Sequence, residues 1–418
     1  MIRRLFPWII AGAALVMLMI SNGMVITGIT AFDEALIDEF GWGRGSLKFR
    51  DLLTFLIAGA IAPFLGVLID RLGVRPLMIA GSVLLAGSYL AYTQIGHITH
   101  VYIIHAVFAA VLVACGLNVA VIMVSQWFVR RRGTAIGLAL AGTSLGGMVF
   151  PPIIVALTAA YGWRGGFAVL AAVPMLILLI GIFLARRPEE MGLQPLGHDD
   201  PPKQGGSIPD PARDLTLGEA LRTPTFWALA LTAMMTFYSM LAASSHLFLH
   251  MRDLAFEPMR AGQALSVMFG MALIGKFAFG FLADVFNQKR VFMANIGVMF
   301  AGSLLLASLR PELVWIAIML FGLGWGGLYT LLQLQAVNSF GLTAAGKILG
   351  TITVVDALGG GLGIWLTGVL YDTTGSYSLA FGVISGLLLL ALLAASRIRP
   401  EVKPAAPSAA ASESTGGN

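Results

Sequence analysis

The chain has 418 residues, of which 58% are apolar and only 11% are charged, and its formal net charge is +5. Soluble domains usually carry about 25% charged residues, so this composition excludes an ordinary water-soluble protein and indicates that lipid surrounds much of the chain. The basic residues form short clusters between apolar runs, which favours a role in membrane topology over a nucleic-acid-binding patch.

Twelve membrane-spanning helices are predicted from apolar runs of about 20 residues that end at charged, Pro or Gly positions. The first run follows the basic start "MIRR" and lacks a clear small-residue cleavage site, so we expect an uncleaved helix rather than a signal peptide. The predicted extents are 7–32, 47–69, 75–95, 99–126, 133–159, 164–185, 223–250, 260–284, 290–308, 312–337, 346–371 and 377–396.

These elements predict an all-α polytopic membrane protein made of two pseudo-symmetric six-helix bundles. Residues 1–185 form the predicted N-terminal bundle and residues 223–398 the C-terminal one. Between them lies a central loop, 186–222, which is rich in Pro, Gly and charge. The tail, 399–418, has a low-complexity composition that predicts disorder.

The basic residues also predict the orientation of the chain. With both termini in the cytoplasm, most of the 26 Lys and Arg residues fall in inside loops and tails, as the positive-inside rule requires. The outer loops and rims are then left with Arg44, Lys48, Arg50, Arg164, Arg252, Arg260 and Arg310. Lys276 lies apart from both groups, within a predicted span.

Two short segments repeat at equivalent places in the two halves. "GVLIDRLGVR" (66–75) and "GFLADVFNQK" (280–289) share Gly, Leu and Asp at matching positions and end in a basic residue. They join the second predicted helix to the third and the eighth to the ninth. Such a repeat is expected of a transporter whose two halves rock around a central site.

The first segment resembles the loop 2–3 signature of the major facilitator superfamily, G-x-x-x-D-R-x-G-x-R. The span number, central loop and repeat extend the resemblance over roughly residues 1–398. It implies that Gly66 allows helix 2 to pack on helix 11, and that Asp70 caps helix 11, as carboxylates do at helix N-termini. Arg71 and Arg75 would hold the loop by charge pairing. The implied conformational gate comprises Gly66, Asp70, Arg71, Gly73, Arg75 and Asp284.

Other segments are similar to the bacterial form of the monocarboxylate porter branch. They include "EFGWGRGSL" (39–47), "QWFVRRRGTAIGLALAGTSLGGMVFPPI" (126–153) and "LGTITVVDALGGGLGIWLTGVLYDTTGSY" (349–377). Oxalate/formate-type antiporters share much of this pattern. The resemblance implies a monomeric transporter of a small organic anion, embedded in the lipid bilayer of a bacterial cytoplasmic (inner) membrane.

Lys276 lies within the apolar run "SVMFGMALIGKFAFGFLADVF". An ionisable residue inside a span is rare and marks a functional site by default. Asp284 follows eight residues later, about 12 Å along a helix, so we expect Lys276 near mid-membrane. The family carries an Arg here, and the resemblance implies that this cation receives the substrate carboxylate. Lys supplies a point charge instead of a planar fork and can lose its proton when buried.

Asp356 is a second ionisable residue within a predicted span of the same half. Two interpretations are open. Asp356 and Lys276 form a structural ion pair, or the substrate competes with Asp356 for Lys276 and Asp356 then takes up a proton. Asp356 and Lys276 are therefore the candidate proton-coupling residues.

Three further polar residues are candidate substrate ligands. The resemblance implies substrate contacts for Asn118 in helix 4 and His246 in helix 7, and Tyr329 in helix 10 lies along the inferred path. His246 either titrates near neutral pH or stays neutral and hydrogen-bonded. Ordinary helix packing is the alternative for all three.

The leading hypothesis is a secondary active transporter that couples a small organic anion, most of all a monocarboxylate, to protons. One alternative is an oxalate/formate-type anion exchanger, which typically presents two basic residues to a dianion. Another is a non-transporting membrane sensor, although we find no soluble signalling domain. Nucleotide-binding loops, catalytic motifs and metal-ligand spacings are absent from the sequence, so we expect no enzyme activity, cofactor, metal or nucleic-acid partner.

Overall fold

The computed structural model describes residues 2–197, 214–341 and 344–401. Within these ranges the chain is helical and contains no strand, apart from an isolated bridge between Phe128 and Leu196. Part of the predicted central loop, 198–213, and the predicted disordered tail beyond residue 401 lie outside the described residues.

The first half is built from helices joined by short turns. They are α1 (Ile2–Asn22), α2 (Asp33–Phe40), α3 (Arg44–Ile61), α4 (Leu65–Leu72), α5 (Val74–Tyr92), α6 (Ile98–Ala114), α7 (Leu117–Trp127), α8 (Arg132–Leu170) and α9 (Met175–Phe183). A π-helical turn at Gly23–Thr27 and a 3-10 turn at Gly28–Phe32 join α1 to α2. The first crossing is therefore longer than the predicted 7–32.

The second half begins with a short helix before its membrane-crossing elements. Its helices are α10 (Leu217–Ala220), α11 (Pro224–Asp253), α12 (Pro258–Val285), α13 (Gln288–Ala307), α14 (Val314–Phe340), α15 (Ala345–Thr374) and α16 (Ser378–Arg397). Thr216 and Glu219 close a capping box at the start of α10.

Among the described residues, ten continuous helical segments are long and apolar enough to cross a membrane. The segment 132–183 contains two crossings, because Gly162 leaves the helical region (φ 69°, ψ 169°) and the chain turns again at 171–174. Helices α3 and α4 supply one more crossing, in which four charged residues of α3 lower the hydropathy. The second crossing within 132–183 and the crossing formed by α3 and α4 raise the ten segments to the twelve crossings predicted from the sequence.

Glycines set the closest helix contacts within the second half. A Cβ atom on Gly326 of α14 would lie 2.1 Å from the carbonyl oxygen of Ala272 on α12. A Cβ atom on Gly359 of α15 would lie 2.4 Å from the carbonyl oxygen of Met234 on α11. Small residues at such contacts are typical of membrane helices, which associate by close packing rather than by a hydrophobic driving force.

The two halves meet along two helix pairs, α3 with α15 and α8 with α12. A Cβ atom on Gly361 would lie 2.9 Å from the Leu52 side chain in the first pair. In the second pair, a Cβ atom on Gly147 would lie 2.4 Å from the Phe269 ring. These four helices therefore bound any passage between the halves.

Candidate transport site and gates

Lys276 is a partly buried cation on α12 that faces the first half of the chain. Its Nζ atom donates hydrogen bonds to the Thr143 hydroxyl at 3.0 Å and to the Leu140 carbonyl oxygen at 3.3 Å. Both acceptors lie on α8, so the ammonium group bridges the two halves. Both are also neutral, so they solvate the charge without cancelling it.

The ion pair expected between Lys276 and Asp356 is absent from this conformation. Asp356 lies on α15 and is 4% exposed. Among the residues described, neither Lys276 nor Asp356 has an ion-pair partner within 4.0 Å. The physical reason is that the Lys276 side chain extends across the interface to α8 instead of remaining within its own half.

The structure brings Tyr329 close to Asp356 and shows no hydrogen bond or ion pair between Asn118 and the other candidates among the described residues. Tyr329 on α14 is 38% exposed and lies close enough to Asp356 for the two groups to interact electrostatically. Asn118 is exposed at the start of α7, just after the helix break at Cys115 and Gly116. The described hydrogen bonds and ion pairs do not connect Asn118 to the other candidate ligands.

His246 is fully buried on α11, and both of its ring nitrogens are engaged. Because a carbonyl oxygen can only accept, Nε2 donates to the Ile364 oxygen at 2.8 Å. Nδ1 then accepts from the Tyr377 hydroxyl at 2.9 Å, and that hydroxyl accepts from Arg44 Nη1 at 2.8 Å. In this conformation His246 is a brace between helices and has no ring nitrogen free for a substrate.

The signature residues lie at the predicted cytoplasmic face. Gly73 ends α4 with a φ of +79°, a conformation that favours glycine. Arg71 and Arg75 line a cavity of about 360 Å³ together with Glu190, a carboxylate of opposite charge. Asp284 is exposed near the end of α12.

The contacts expected of Gly66 and Asp70 cannot be assigned to described side chains. Both residues lie in the backbone of α4, but their predicted packing on helix 11 falls outside the side chains that the structure describes. The cytoplasmic part of the gate therefore stays a prediction.

A second gate, which the sequence analysis missed, lies at the predicted outer face. Asp372 at the end of α15 accepts hydrogen bonds from the backbone N–H groups of Arg44 at 2.9 Å and Gly45 at 2.7 Å. These groups belong to the first turn of α3, whose N-cap is Gly43 and has no side chain to cap it. A carboxylate from one half therefore caps a helix of the other half.

A repeat in the sequence could have revealed this contact. "GVLYDTTG" (368–375) shares Gly, Val, Leu, Asp and Gly with "GVLIDRLG" (66–73) at matching positions. Gly368 makes the same kind of close approach that the resemblance implies for Gly66, because a Cβ atom on Gly368 would lie 2.9 Å from the Gly45 Cα atom. The end of α15, which is the eleventh predicted span, thus carries its own glycine–aspartate pair. This pair packs against the start of α3, in the second predicted span.

Ion pairs reinforce the closure at the outer face. Arg44 forms a bidentate pair with Asp253, with both N–O distances at 2.8 Å. Arg252 Nε pairs with Glu34 at 2.7 Å. We call these contacts, with the Asp372 cap and the Tyr377 hydroxyl, the outer gate. Each ion pair joins the first half to the second, so the outer gate is closed in this structure.

A cluster of ionisable residues is buried inside the first half. Its members, which we call the buried-charge cluster, are Asp33, Lys48, Arg50, Asp51 and His105. The prediction that Lys48 and Arg50 lie at the outer rim is wrong, since both have no solvent exposure. Helix α3 begins at Arg44, and this start places them one to two turns inside the bundle. Lys48 Nζ lies 2.6 Å from Asp33 Oδ2, and Arg50 Nη2 pairs with the other Asp33 oxygen.

Comparisons with known proteins agree with this architecture. The sequence profile of the Major Facilitator Superfamily matches residues 11–364. Monocarboxylate transporter 13 of Bos taurus is 30% identical over 337 residues, which cover 79% of this chain and 74% of that protein. The oxalate:formate antiporter of Oxalobacter formigenes is 25% identical over 367 residues, which cover 84% and 82%.

A solved structure shows the same fold at low identity. It is a bacterial homolog to the human lysosomal transporter Spinster, in an inward-facing and unoccupied conformation. It aligns with a TM-score of 0.70 and 14% identity, covering 96% of this chain and 99% of that chain. At this identity the likeness bears on the fold alone.

Proposed function

The chain belongs to the major facilitator superfamily, and from this premise we propose that it is a proton-coupled transporter of a small monocarboxylate. It works as a monomer by alternating access in a bacterial cytoplasmic membrane, with both termini in the cytoplasm. The observation that carries the proposal is Lys276, a cation on α12 that faces the interface between the halves and has no described counter-ion.

Lys276 is the group that receives the substrate carboxylate. Its present partners, the Thr143 hydroxyl and the Leu140 carbonyl oxygen, leave the ammonium charge uncancelled. A carboxylate supplies that missing charge and a charge-assisted hydrogen bond, which is stronger than a neutral one. Asn118 and Tyr329 are exposed polar groups for the rest of the substrate. His246 supports the site through its bonds to Tyr377 and Ile364.

Asp356 is the proton-coupling residue in the second half of the protein, which also carries Lys276. It is a buried carboxylate without a described ion-pair partner, and a proton removes its charge. When one acid anion binds Lys276 and one proton binds Asp356, the occupied site gains no net charge. Such a site therefore favours transport of the anion and the proton together.

Alternating access follows from two gates that exclude each other. The outer gate is closed in the present conformation. We propose that the cytoplasmic gate forms when the outer gate opens. Asp70 then caps the start of α15, the eleventh predicted span, just as Asp372 caps the start of α3 here. The gate residues on that side are Gly66, Asp70, Arg71, Gly73, Arg75 and Asp284.

An anion exchanger is the second candidate, because the oxalate:formate antiporter of Oxalobacter formigenes is similar over most of both chains. Such an exchanger moves one anion in return for another and needs no proton gradient. Asp356 argues against oxalate as the substrate, since a buried carboxylate in the same half repels a dianion. The two candidates differ in their response to pH.

Uptake into proteoliposomes tests the proposal. A panel of labelled short-chain and aromatic carboxylates is offered with and without an inward proton gradient. We expect gradient-driven accumulation of at least one acid, loss of uptake in Lys276→Gln, and normal uptake in the control Lys347→Gln, which alters an exposed lysine of α15. Normal uptake by folded Lys276→Gln would remove Lys276 from the site, and exchange without gradient-driven accumulation would favour the second candidate.

A further inference from the structure

The buried-charge cluster lies on α2, α3 and α6, none of which carries Lys276 or Asp356, although α3 packs against α15. We propose that it is a second proton-binding site, in which Asp51 accepts the proton and Lys48 conveys the change of charge to the interface between the halves. This inference deepens the proposed function and rests on it for the link to transport. The ligand is a proton that enters from the predicted outer side.

The cluster is buried and formally neutral. Asp33, Lys48, Arg50 and His105 are 0% exposed, and Asp51 is 5% exposed. With both aspartates ionised and His105 uncharged, two negative groups balance two positive groups. One added proton therefore leaves a net positive charge in a region almost closed to water, where an uncompensated charge is unfavourable.

The two aspartates are held unequally. Asp33 has both cations close to its two oxygens, although its contact with Lys48 at 2.6 Å lacks good hydrogen-bond angles. Asp51 Oδ2 lies 3.7 Å from Arg50 Nε and 4.0 Å from Lys48 Nζ, and it has no hydrogen-bond partner among the described residues. Each carboxylate thus has one buried oxygen without a described hydrogen bond, which is costly, but only Asp33 has both cations in direct contact. Asp51 therefore gains more than Asp33 from a proton.

Other titratable groups surround Asp51. His105 Nδ1 on α6 lies 3.7 Å from Asp51 Oδ1, and His105 Nε2 lies 2.9 Å from the hydroxyl of Tyr92 on α5. On α11, His246 lies within electrostatic range of Lys48. The groups that face Asp51 from the packed elements are thus Asp33, Lys48, Arg50, His105 and Tyr92.

Lys48 joins the cluster to the other half of the protein. Its Nζ atom donates a hydrogen bond of 2.7 Å to the carbonyl oxygen of Ser245 on α11. When Asp51 is ionised, two carboxylates attract this ammonium group into the first half. When Asp51 is protonated, Lys48 shares Asp33 alone with Arg50, and the excess positive charge lies next to the interface.

This charge balance links the proton to the anion. The excess positive charge is relieved when the outer gate opens and water reaches Lys48, or when an acid anion enters the passage. Proton binding at Asp51 therefore favours an outward-open protein that attracts an anion. Loss of the proton restores the neutral, closed cluster seen in the present conformation.

Transport by Asp51→Asn tests the inference, with Asp38→Asn as the control because Asp38 is exposed on α2. In this scheme the same proton occupies Asp51 and then Asp356, on the adjoining helices α3 and α15, so both residues are needed to carry one proton with one acid. For that ratio, a gradient of about one pH unit drives about tenfold accumulation. We expect this accumulation in the wild type and in the control, and about equal inner and outer concentrations in Asp51→Asn. Exchange of labelled for unlabelled acid at equal pH should persist in all three proteins. Accumulation by Asp51→Asn equal to that of the wild type would overturn the inference.

Two further measurements test the inference even where Asp51→Asn does not fold or transport cannot be measured. Should Asp51→Asn fail to fold, the double variant Asp51→Asn/Lys48→Gln removes one charge of each sign and carries the same expectations. Infrared difference spectra of the wild type across a pH step report carboxyl protonation without transport. We expect a carboxyl band that Asp51→Asn removes and Asp356→Asn retains.

The outcomes separate the two proposals. A wild type that accumulates no acid but shows the Asp51 band would contradict the proposed coupling and keep the proton site. A wild type that accumulates acid, with a band unchanged in Asp51→Asn, would contradict the proton site and keep the proposed function.

Discussion

The two halves of the protein bury charge in opposite ways. In the first half, Asp33, Lys48 and Arg50 contact one another directly and are fully enclosed. In the second half, Lys276 and Asp356 have no described ion-pair partner, and Lys276 is bound to neutral oxygens of α8. The first arrangement resembles a closed network, and the second leaves separate charges beside the interface.

This difference predicts that stability and transport respond to different substitutions. Removing one member of a buried ion pair leaves the other charge uncompensated and costs about 3–5 kcal/mol. Removing a buried charge that has no counter-ion leaves nothing behind and relieves its desolvation. Substitutions of Asp33, which pairs directly with two cations, should therefore affect folding. Substitutions of Lys276, Asp356 or the more weakly held Asp51 should affect transport.

Asp33→Asn should have the largest effect on stability. It leaves Lys48 and Arg50 without their closest carboxylate, and we expect a loss of about 3–5 kcal/mol in the free energy of unfolding. Unfolding of the purified protein in detergent measures this loss, with Asp38→Asn of the same helix as the control. Equal stability of the two variants would show that the cluster does not hold the first half together.

Asp372→Asn should weaken the outer gate without unfolding the protein. Hydrogen bonds to a charged group contribute about 1.5–3 kcal/mol, so loss of the carboxylate charge should shift the population towards the outward-open state. Maleimide labelling of Ser245→Cys in a Cys115→Ser background reports this shift, because Ser245 is 2% exposed here. We expect faster labelling in Asp372→Asn and unchanged labelling in Thr373→Val, which alters an exposed neighbour.

Tyr377→Phe should cost less, because it removes one hydroxyl and no charge. That hydroxyl donates to His246 and accepts from Arg44, and its loss should lower the free energy of unfolding by about 1–3 kcal/mol. Thermal unfolding measures the change. A loss as large as that of Asp33→Asn would mean that the hydrogen bonds of His246, rather than the buried-charge cluster, contribute most to stability near the predicted outer face.

Asp356→Asn should have the smallest effect on stability and a specific effect on transport. The amide removes a buried charge that has no described counter-ion, so we expect an unchanged or slightly raised free energy of unfolding. Exchange at equal pH should persist, and accumulation driven by a proton gradient should be lost. A large loss of stability would show that Asp356 has a structural partner and would weaken the contrast between the two halves.

Much of the architecture could be predicted from the sequence alone. Apolar runs of about 20 residues require helices in lipid, because every backbone polar group must be satisfied within its own segment. The runs are local features, so their number and order follow without knowledge of the fold. Lys276 and Asp356 could be singled out for the same reason, since a charge inside an apolar run stands out at once.

The candidate site was less predictable, because its contacts join residues far apart in the chain. Whether Lys276 meets Asp356 or Thr143 depends on the side of α12 that faces α8, and the sequence does not contain this packing. The glycine–aspartate repeat at 368–375 was visible. Its partner, the uncapped start of α3, became evident only with the two halves assembled.

Sequence by itself determined the helical class, the twelve crossings and the two isolated charges, because lipid imposes these on any apolar run. The tertiary structure alone decided that Lys48 and Arg50 are buried rather than exposed to water. Both lie near a helix end, where a charged residue either reaches water or finds a partner on another helix. The π and 3-10 turns carry the first crossing on to Asp33, and this carboxylate makes burial of both cations possible because opposite charge offsets their desolvation.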